Sequence, residues 1–435
     1  MSSAEPPHLE RTLGFWALLA YGVGDMLGAG IYALVGKVAG LSGMLSWMSF
    51  AVASVAATLT ACVYAELATR FPQSGGAAYY CERAFRKPAL SVFIGWLVLC
   101  SGVVSMATSS LAFAGYLTKL VEPLPAPVAV CGFLFVVGTI AIRGIRESST
   151  SNIICTMIEL SGLLIVVTTG LALFFGGGPP KIELATPPPE VTTWAPLLIL
   201  QGAGLAFFAC IGFEDIANVA EEVKKPERTI PTALLSAMAI VGAVYMLVAF
   251  VSTRTLPPHE LASSEAPLLS VVERTAPWSL KFFGVIAMFA VANTSLLNCV
   301  MGSRLLHGMS REGLVPEWLG RIHPTRHTPY VATVIVIAIA LVLALTGTVG
   351  HLGGTTSVLL LAVFIVIDIA LLKIRRRETE YFGFRVPWFV PVASMAICLV
   401  LIVFSQQASI RIAAVLGALG AVIACTRWNQ RSRIT

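Results

Sequence analysis

Tyr21-Gly-Val-Gly-Asp-Met-Leu-Gly-Ala-Gly-Ile-Tyr32 lies within an apolar run, residues 13–36, that is long enough to cross a bilayer. Gly22, Gly24, Gly28 and Gly30 strip side chains from the middle of that run and lower its helix propensity. The stretch therefore reads as a broken membrane helix. Backbone set free in hydrocarbon is tolerated only where protein, water or a ligand satisfies it, so the break is expected to line a cavity. A second half-helix starting near Ile31 would aim unpaired N–H groups and a positive dipole end into that cavity, which suits a carboxylate. The plainer alternative is that the small residues only let two helices approach closely.

The composition agrees with a membrane location. Of the 435 residues 57% are hydrophobic and 12% charged, and the mean hydropathy is +0.83. A soluble domain of ordinary composition is excluded. Met1 to Glu10 are polar and acidic and lack the basic flank of a cleaved signal, so the first span is expected to persist in the mature chain. The nine cysteines have no CxxC spacing and fall largely in apolar runs, as packing residues do.

Apolar runs of spanning length follow at 43–68, 89–118, 126–143, 153–175, 195–220, 232–253, 279–301, 330–347, 351–373, 387–406 and 410–427, which makes about twelve transmembrane helices in an all-α integral membrane protein. With the N-terminus inside, all but seven of the 29 basic residues (Lys37, Lys119, Lys181, Arg254, Arg274, Lys281 and Arg411) lie on the cytoplasmic side. The net charge of +6 thus reflects topology and not nucleic-acid binding, and both termini are expected in the cytoplasm. Outside connections, Gly176 to Thr193 and Leu256 to Ala276, are too short for separate domains. In the cytoplasmic link Phe71-Pro-Gln-Ser-Gly-Gly-Ala-Ala-Tyr-Tyr80, the Pro, Gly and Tyr residues predict a turn and a short interfacial helix.

A second interruption, Phe207-Phe-Ala-Cys-Ile-Gly-Phe-Glu-Asp215, falls in the sixth span. Five spans separate it from the first, so the two helices run oppositely, as an inverted repeat of five plus five spans requires. The expected organisation is a tail at 1–10, repeats at 11–175 and 194–374, an appended helix pair at 386–427 and a tail at 428–435.

Ionisable residues within spans mark a pathway or relay before they mark packing. Here they are acids: Asp25 a turn before the first break, Glu159 in the fifth span, and Glu214 and Asp215 after the second break. Desolvation disfavours a charged carboxyl without a basic partner, which suits a group that loads and unloads protons. Asp25, Glu159 and Glu214 are therefore the proton-coupling candidates. Glu66 and Asp368 sit near cytoplasmic helix ends, where snorkelling or a salt bridge to Arg70 or Lys373 accounts for them. Asn293-Thr-Ser295 in the eighth span serves either as hydrogen-bonding glue or as a polar cavity wall, and Ser105, Met106 and Ser109 in the third span are weaker candidates of the same kind.

Four motifs taken together resemble the amino acid-polyamine-organocation (APC) superfamily of secondary transporters, most of all its bacterial members near the cationic amino acid transporters. They are Gly28-Ala-Gly-Ile-Tyr32, Phe71-Pro-Gln-Ser-Gly-Gly76, Gly212-Phe-Glu-Asp-Ile-Ala-Asn-Val-Ala-Glu-Glu-Val-Lys-Lys-Pro-Glu-Arg-Thr-Ile-Pro231, and Ser303-Arg-Leu-Leu-His-Gly-Met-Ser-Arg-Glu-Gly-Leu-Val-Pro316. The resemblance implies the LeuT-type five-plus-five inverted repeat, with spans 1 and 6 broken and two extra C-terminal helices, and alternating access. It implies that backbone N–H groups of Gly28, Ala29, Gly30 and Ile31 hold a substrate carboxylate. Carbonyls of Phe208, Ala209 and Ile211 would hold its ammonium, in a site shared with Phe207, Cys210, Gly212, Met106 and Asn293 and covered by Phe208. Where proton-coupled relatives often carry a lysine in the fifth span, this chain has Glu159, and Asp25 replaces a small residue. A lysine mechanism is therefore not carried over.

The expected function is secondary transport of an amino acid or related amine across the cell membrane, coupled to protons, with exchange of an amino acid for its amine as the alternative. An enzyme would need a nucleophile or metal constellation at depth, but the six histidines lie in loops or near span ends without HExxH spacing, so no cofactor or metal is expected. A channel would need a continuous polar pore. Saturable counterflow in liposomes separates carrier from channel, and no motif encodes an oligomeric state. The charge asymmetry predicts that a C-terminal reporter fluorescent only outside the cytoplasm stays dark.

Overall fold

The computed structural model describes residues 11–73, 76–121, 123–144, 149–175, 195–311, 315–378, 381 and 383–431. The expected tail at 1–10, the connection from 176 to 193, Ser74 and Gly75 of the proline link, and the last residues of the C-terminal tail lie outside them.

The first expected span is broken, as its glycines predict. Helix α1 covers Phe15–Met26 and α2 covers Ala29–Ser42, two residues earlier than the start expected near Ile31. A 3-10 turn, Gly43–Leu45, leads into α3, Ser46–Arg70. The proline link does form a short helix, α4, Gly76–Phe85. Then come α5 (Pro88–Leu120), α6 (Ala126–Arg143) and α7 (Ser149–Phe175). Helix α8, Ala195–Ala206, gives way to a 3-10 turn at Phe207–Cys210 and then, past Gly212, to a 3-10 helix at Phe213–Glu222. The second half of this element is thus not α-helical, and a ten-residue 3-10 run is long for that poorly bonded geometry. Helix α9 (Pro226–Thr255) is followed by two short helices, α10 (Pro258–Ser263) and α11 (Pro267–Thr275). The remainder is α12 (Leu280–Arg311), α13 (Tyr330–Thr346), α14 (Val349–Arg377), α15 (Phe389–Phe404) and α16 (Gln407–Arg431).

Among the described residues, nine helical stretches are long and apolar enough to cross a membrane, while Tyr330–Thr346 and Phe389–Phe404 are apolar but shorter. No strand occurs among these residues beyond one parallel bridge between Leu13 and Val223. Proline opens α5, α9, α10 and α11 at positions where the missing N–H and fixed φ cost nothing. Helix α1 packs on α7 and α9, and α2 packs on α8 and α10, so the two broken elements lie side by side. Helix α5 runs between α12 and α14. One large apolar cluster joins α1 to α3 with α8, α9 and α14, and a second fills the space between α5, α6, α12 and α13. Helix α10 and its link to α11 lie so closely on α2 and α5 that a Cβ at Gly36 would stand 2.2 Å from the Leu261 carbonyl oxygen, and one at Gly115 2.4 Å from that of Glu265.

The two acids expected at helix ends behave differently. Glu66 is fully buried and does pair with Arg70 (2.9 Å), but it also holds Arg375 of α14 and accepts the Val386 N–H at 2.9 Å. Asp368 neither snorkels nor meets Lys373. It is fully buried, and Lys373, five residues on and hence on another helix face, places its ammonium 4.6 Å from the centre of the Phe85 ring. Glu66→Ala leaves two guanidiniums facing each other at the junction of α3, α14 and the lead-in to α15. Breaking a buried ion pair from one side costs about 3–5 kcal/mol. The expected result is a clear fall in the melting temperature of the solubilised protein, and an unchanged melting temperature would remove this network from the stability of the fold.

Candidate substrate site at two broken helices

The two breaks touch each other. A Cβ added to Gly30 would lie 2.3 Å from the Cα of Ala209 and 2.8 Å from its Cβ, so glycine at 30 is what lets α2 meet the Phe207–Cys210 turn backbone to backbone. Gly28 faces Thr294 instead: its Cβ would fall 1.8 Å from the Thr294 hydroxyl oxygen. That hydroxyl accepts the Ala29 N–H at 2.8 Å. Thr294 therefore stands where an oxygen ligand of the α2 N-terminus is expected.

Side chains from neighbouring helices also reach backbone carbonyls of the first broken element. The Met26 carbonyl accepts from the Tyr245 hydroxyl of α9, the Ala20 carbonyl from Thr156 of α7 at 3.2 Å, and the Tyr32 carbonyl from Tyr116 of α5 at 2.9 Å. At the second break the Gly212 N–H donates to the Glu214 carboxylate at 3.0 Å. Gly212 has φ +120, a conformation open to glycine, and its Cβ position would lie 3.0 Å from the Asp25 carbonyl carbon and oxygen. Gly24 is similarly required, because Thr156 would meet its Cβ at 2.0 Å.

The acids gather around this contact. Asp25 lies beside Asp215, which accepts from Asn218 at 2.8 Å, and near Glu214 and Glu159. Glu159 is fully buried on α7; its Oε1 accepts from Asn293 at 2.9 Å, while Oε2 has no partner. The backbone carbonyl of Glu159 accepts the Tyr32 hydroxyl at 2.7 Å, which fixes this turn of α7 against α2.

The structure thus brings together Gly28, Ala29, Gly30, Ala209, Gly212, Asp25, Glu159, Glu214 and Asn293. Ile31, Phe207, Phe208 and Cys210 are buried around the same contact, and Ile211 is half-buried with its N–H on the Phe208 carbonyl at 3.3 Å. Cys210 lies 3.9 Å from the Ser54 hydroxyl. Met106 belongs to the apolar cluster of α5, α6, α12 and α13. Thr294, Thr156 and Tyr245 were not among the expected site residues. Thr156 and Thr294 belong to the Thr156-Met-Ile-Glu-Leu-Ser161 and Asn293-Thr-Ser295 stretches, but nothing in the sequence marks Tyr245 off from other tyrosines in apolar helices.

A family profile described as amino acid permease matches residues 13–425. The chain belongs to the amino acid permease family. It is similar to a methylthioribose transporter of Bacillus subtilis, 26% identical with 90% of this chain and 87% of the relative covered. A branched-chain amino acid permease of the same organism is 26% identical over 91% and 88% of the two chains. An uncharacterized transporter of Mycobacterium tuberculosis is 32% identical over 81% and 78%. The permease is thus a multi-pass membrane protein of the APC superfamily and not an enzyme.

The two glycines of the first break make different predictions. Gly30→Ala drives a methyl into backbone and is expected to lower the melting temperature whatever its neighbour. Gly28→Ala strikes one small side chain, so Thr294→Ala in the Gly28→Ala background should restore part of the loss. Strict additivity of the two changes in a double-mutant cycle would show that the residues do not meet.

Proposed function

We propose that this permease is a secondary transporter that moves an amino acid or related amine across the cytoplasmic membrane by alternating access, with protons as the coupling ion. The observation that carries the reading is the direct contact of two helix breaks, Gly30 on Ala209, beside a buried carboxyl with one unpartnered oxygen, Glu159. In this reading twelve spans are formed by α1 with α2, α3, α5, α6, α7, α8 with its 3-10 continuation, α9, α12, α13, α14, α15 and α16. The first five and the next five are inverted repeats, residues 11–175 and 194–374, and α15 and α16 are appended. Both termini are cytoplasmic, in keeping with the distribution of basic residues.

Substrate enters when the breaks part. Its carboxylate replaces the Thr294 hydroxyl at the Ala29, Gly30 and Ile31 N–H groups, where the α2 dipole favours negative charge. Its ammonium meets the carbonyls of Phe208, Ala209 and Ile211, beneath the rings of Phe207 and Phe208. Glu159 carries the proton, because it lies on α7 against the first broken element and its Oε1 is held by Asn293. Asp25 and Asp215 form a second protonatable pair. Glu214 is the weaker candidate, since its carboxylate caps the second break at Gly212.

Glu159→Gln keeps the shape and the hydrogen-bonding capacity of the neutral acid and removes its titration. In proteoliposomes the variant should bind substrate and exchange it, yet lose accumulation driven by an imposed pH gradient. Accumulation that still follows the gradient as in the wild type would move the proton to Asp25. Substrate class is settled separately by thermal shift against amino acids, their decarboxylated amines and methylthioribose, a ligand without a carboxylate. Stabilisation by methylthioribose alone would overturn carboxylate recognition by α2.

A further inference from the structure

At the end of the molecule where α3 stops, a cavity of about 430 Å³ is lined by Arg11, Arg70, Phe71, Pro72, Gln73, Tyr79, Arg83 and Glu221. Three guanidiniums and one carboxylate share this lining. We propose that the cavity is a binding site for a phosphate-bearing anion, distinct from the substrate site.

The charge imbalance is built in from below. Glu66 is one carboxylate between two guanidiniums: its Oε1 receives Arg70 Nε at 3.0 Å and Arg375 Nε at 2.9 Å, and its Oε2 receives Arg375 Nη2 and the Val386 N–H. Both oxygens are therefore committed, and one positive charge is left over. The Arg70 side chain is only 1% exposed, its guanidinium lies 4.1 Å from the centre of the Tyr381 ring, and its Nη1 has no hydrogen-bond partner. A buried guanidinium N–H without an acceptor is costly. An anion in the cavity balances that left-over charge through space from the other side of the lining.

The opposite wall is arranged for the same chemistry. The Tyr79 hydroxyl donates to Gln73 and accepts from Arg83 Nε at 3.0 Å, and the Arg83 guanidinium lies 5.3 Å from the centre of the Phe71 ring and 5.6 Å from that of Tyr79. These contacts hold the planar fork at the rim, the shape that phosphate oxygens accept in pairs. Arg11 is exposed on the other side of the mouth, two residues before the Leu13 bridge to Val223. A tetrahedral anion in the cavity therefore meets exposed guanidiniums from the chain before α1 and from α4, with the buried Arg70 charge behind them. A lipid headgroup and a free phosphate offer the same oxygens, and the experiment separates them.

The full-length protein is placed in phosphatidylcholine nanodiscs and titrated with inorganic phosphate at constant ionic strength, with its melting temperature followed. In a parallel arm phosphatidylglycerol replaces part of the phosphatidylcholine and phosphate is omitted. The melting temperature should rise in at least one arm, and Arg83→Gln should weaken the apparent phosphate affinity about tenfold, the loss expected for one charge-assisted hydrogen bond. A rise with phosphate alone assigns a soluble phosphate, and a rise with phosphatidylglycerol alone assigns the headgroup. Arg11 and Arg83 are both exposed, so their replacement by Gln leaves the fold intact. No rise in either arm, or a rise undiminished in the Arg11→Gln/Arg83→Gln double variant, overturns the site.

Discussion

An N–H or C=O group released inside an apolar interior must find a partner, because no water is there to supply one. In this permease the break between Met26 and Ala29 releases such groups, and side chains of the surrounding helices reach the broken element at the break and on either side of it. Tyr245 reaches Met26 from α9, Thr156 reaches Ala20 from α7, Tyr116 reaches Tyr32 from α5, and Thr294 reaches Ala29 from α12. Four helices are thus located around a single discontinuity. Glycine enters for the complementary reason: at 24, 28, 30 and 212 a side chain would occupy the space these partners need.

This division explains what was legible in the sequence. The break itself was visible, because glycines at 22, 24, 28 and 30 inside an apolar run conflict with any continuous helix. The second break was visible for a weaker reason, the recurrence of small and acidic residues five spans later. Its 3-10 continuation was not, since the sequence Phe213 to Glu222 has the periodicity of an amphipathic helix and the tighter winding is set by packing against α1, α3 and α9. Nor were the partners of the freed backbone, which lie between about 80 and 270 positions away and whose types, Thr and Tyr, are common in membrane helices. Glu66 with Arg70 was readable from i,i+4 spacing. Arg375, more than three hundred residues on, was not, and it is what turns an end-of-helix pair into the junction of α3, α14 and α15. Asp368 defeats the same local logic in reverse, since its nearest basic neighbour in sequence points elsewhere.

The acids concentrate near the first break while the arginine networks sit at the ends of α3 and α14. Asp215 and Glu159 accept from the side-chain amides of Asn218 and Asn293, Asp25 lies near the other acids, and no guanidinium is among the contacts described for them. Glu66 has two guanidiniums. The same residue type thus sits in an ion-pair network in one place and without a cationic partner among its described contacts in the other, and the difference lies in which partner the neighbouring helix provides.

The Thr294 hydroxyl on the Ala29 N–H has a thermodynamic consequence of its own. It is a ligand tethered to its own receptor, present at a high and constant effective concentration, so any solute oxygen arriving at that amide competes with it. The intrinsic strength of the amide is therefore never seen directly; the apparent affinity is that strength multiplied by the fraction of time the amide is free of its internal competitor. In the proposed reading, where the Ala29 amide binds the substrate carboxylate, such a tethered rival lowers the depth of the bound state without weakening the recognition that selects its occupant.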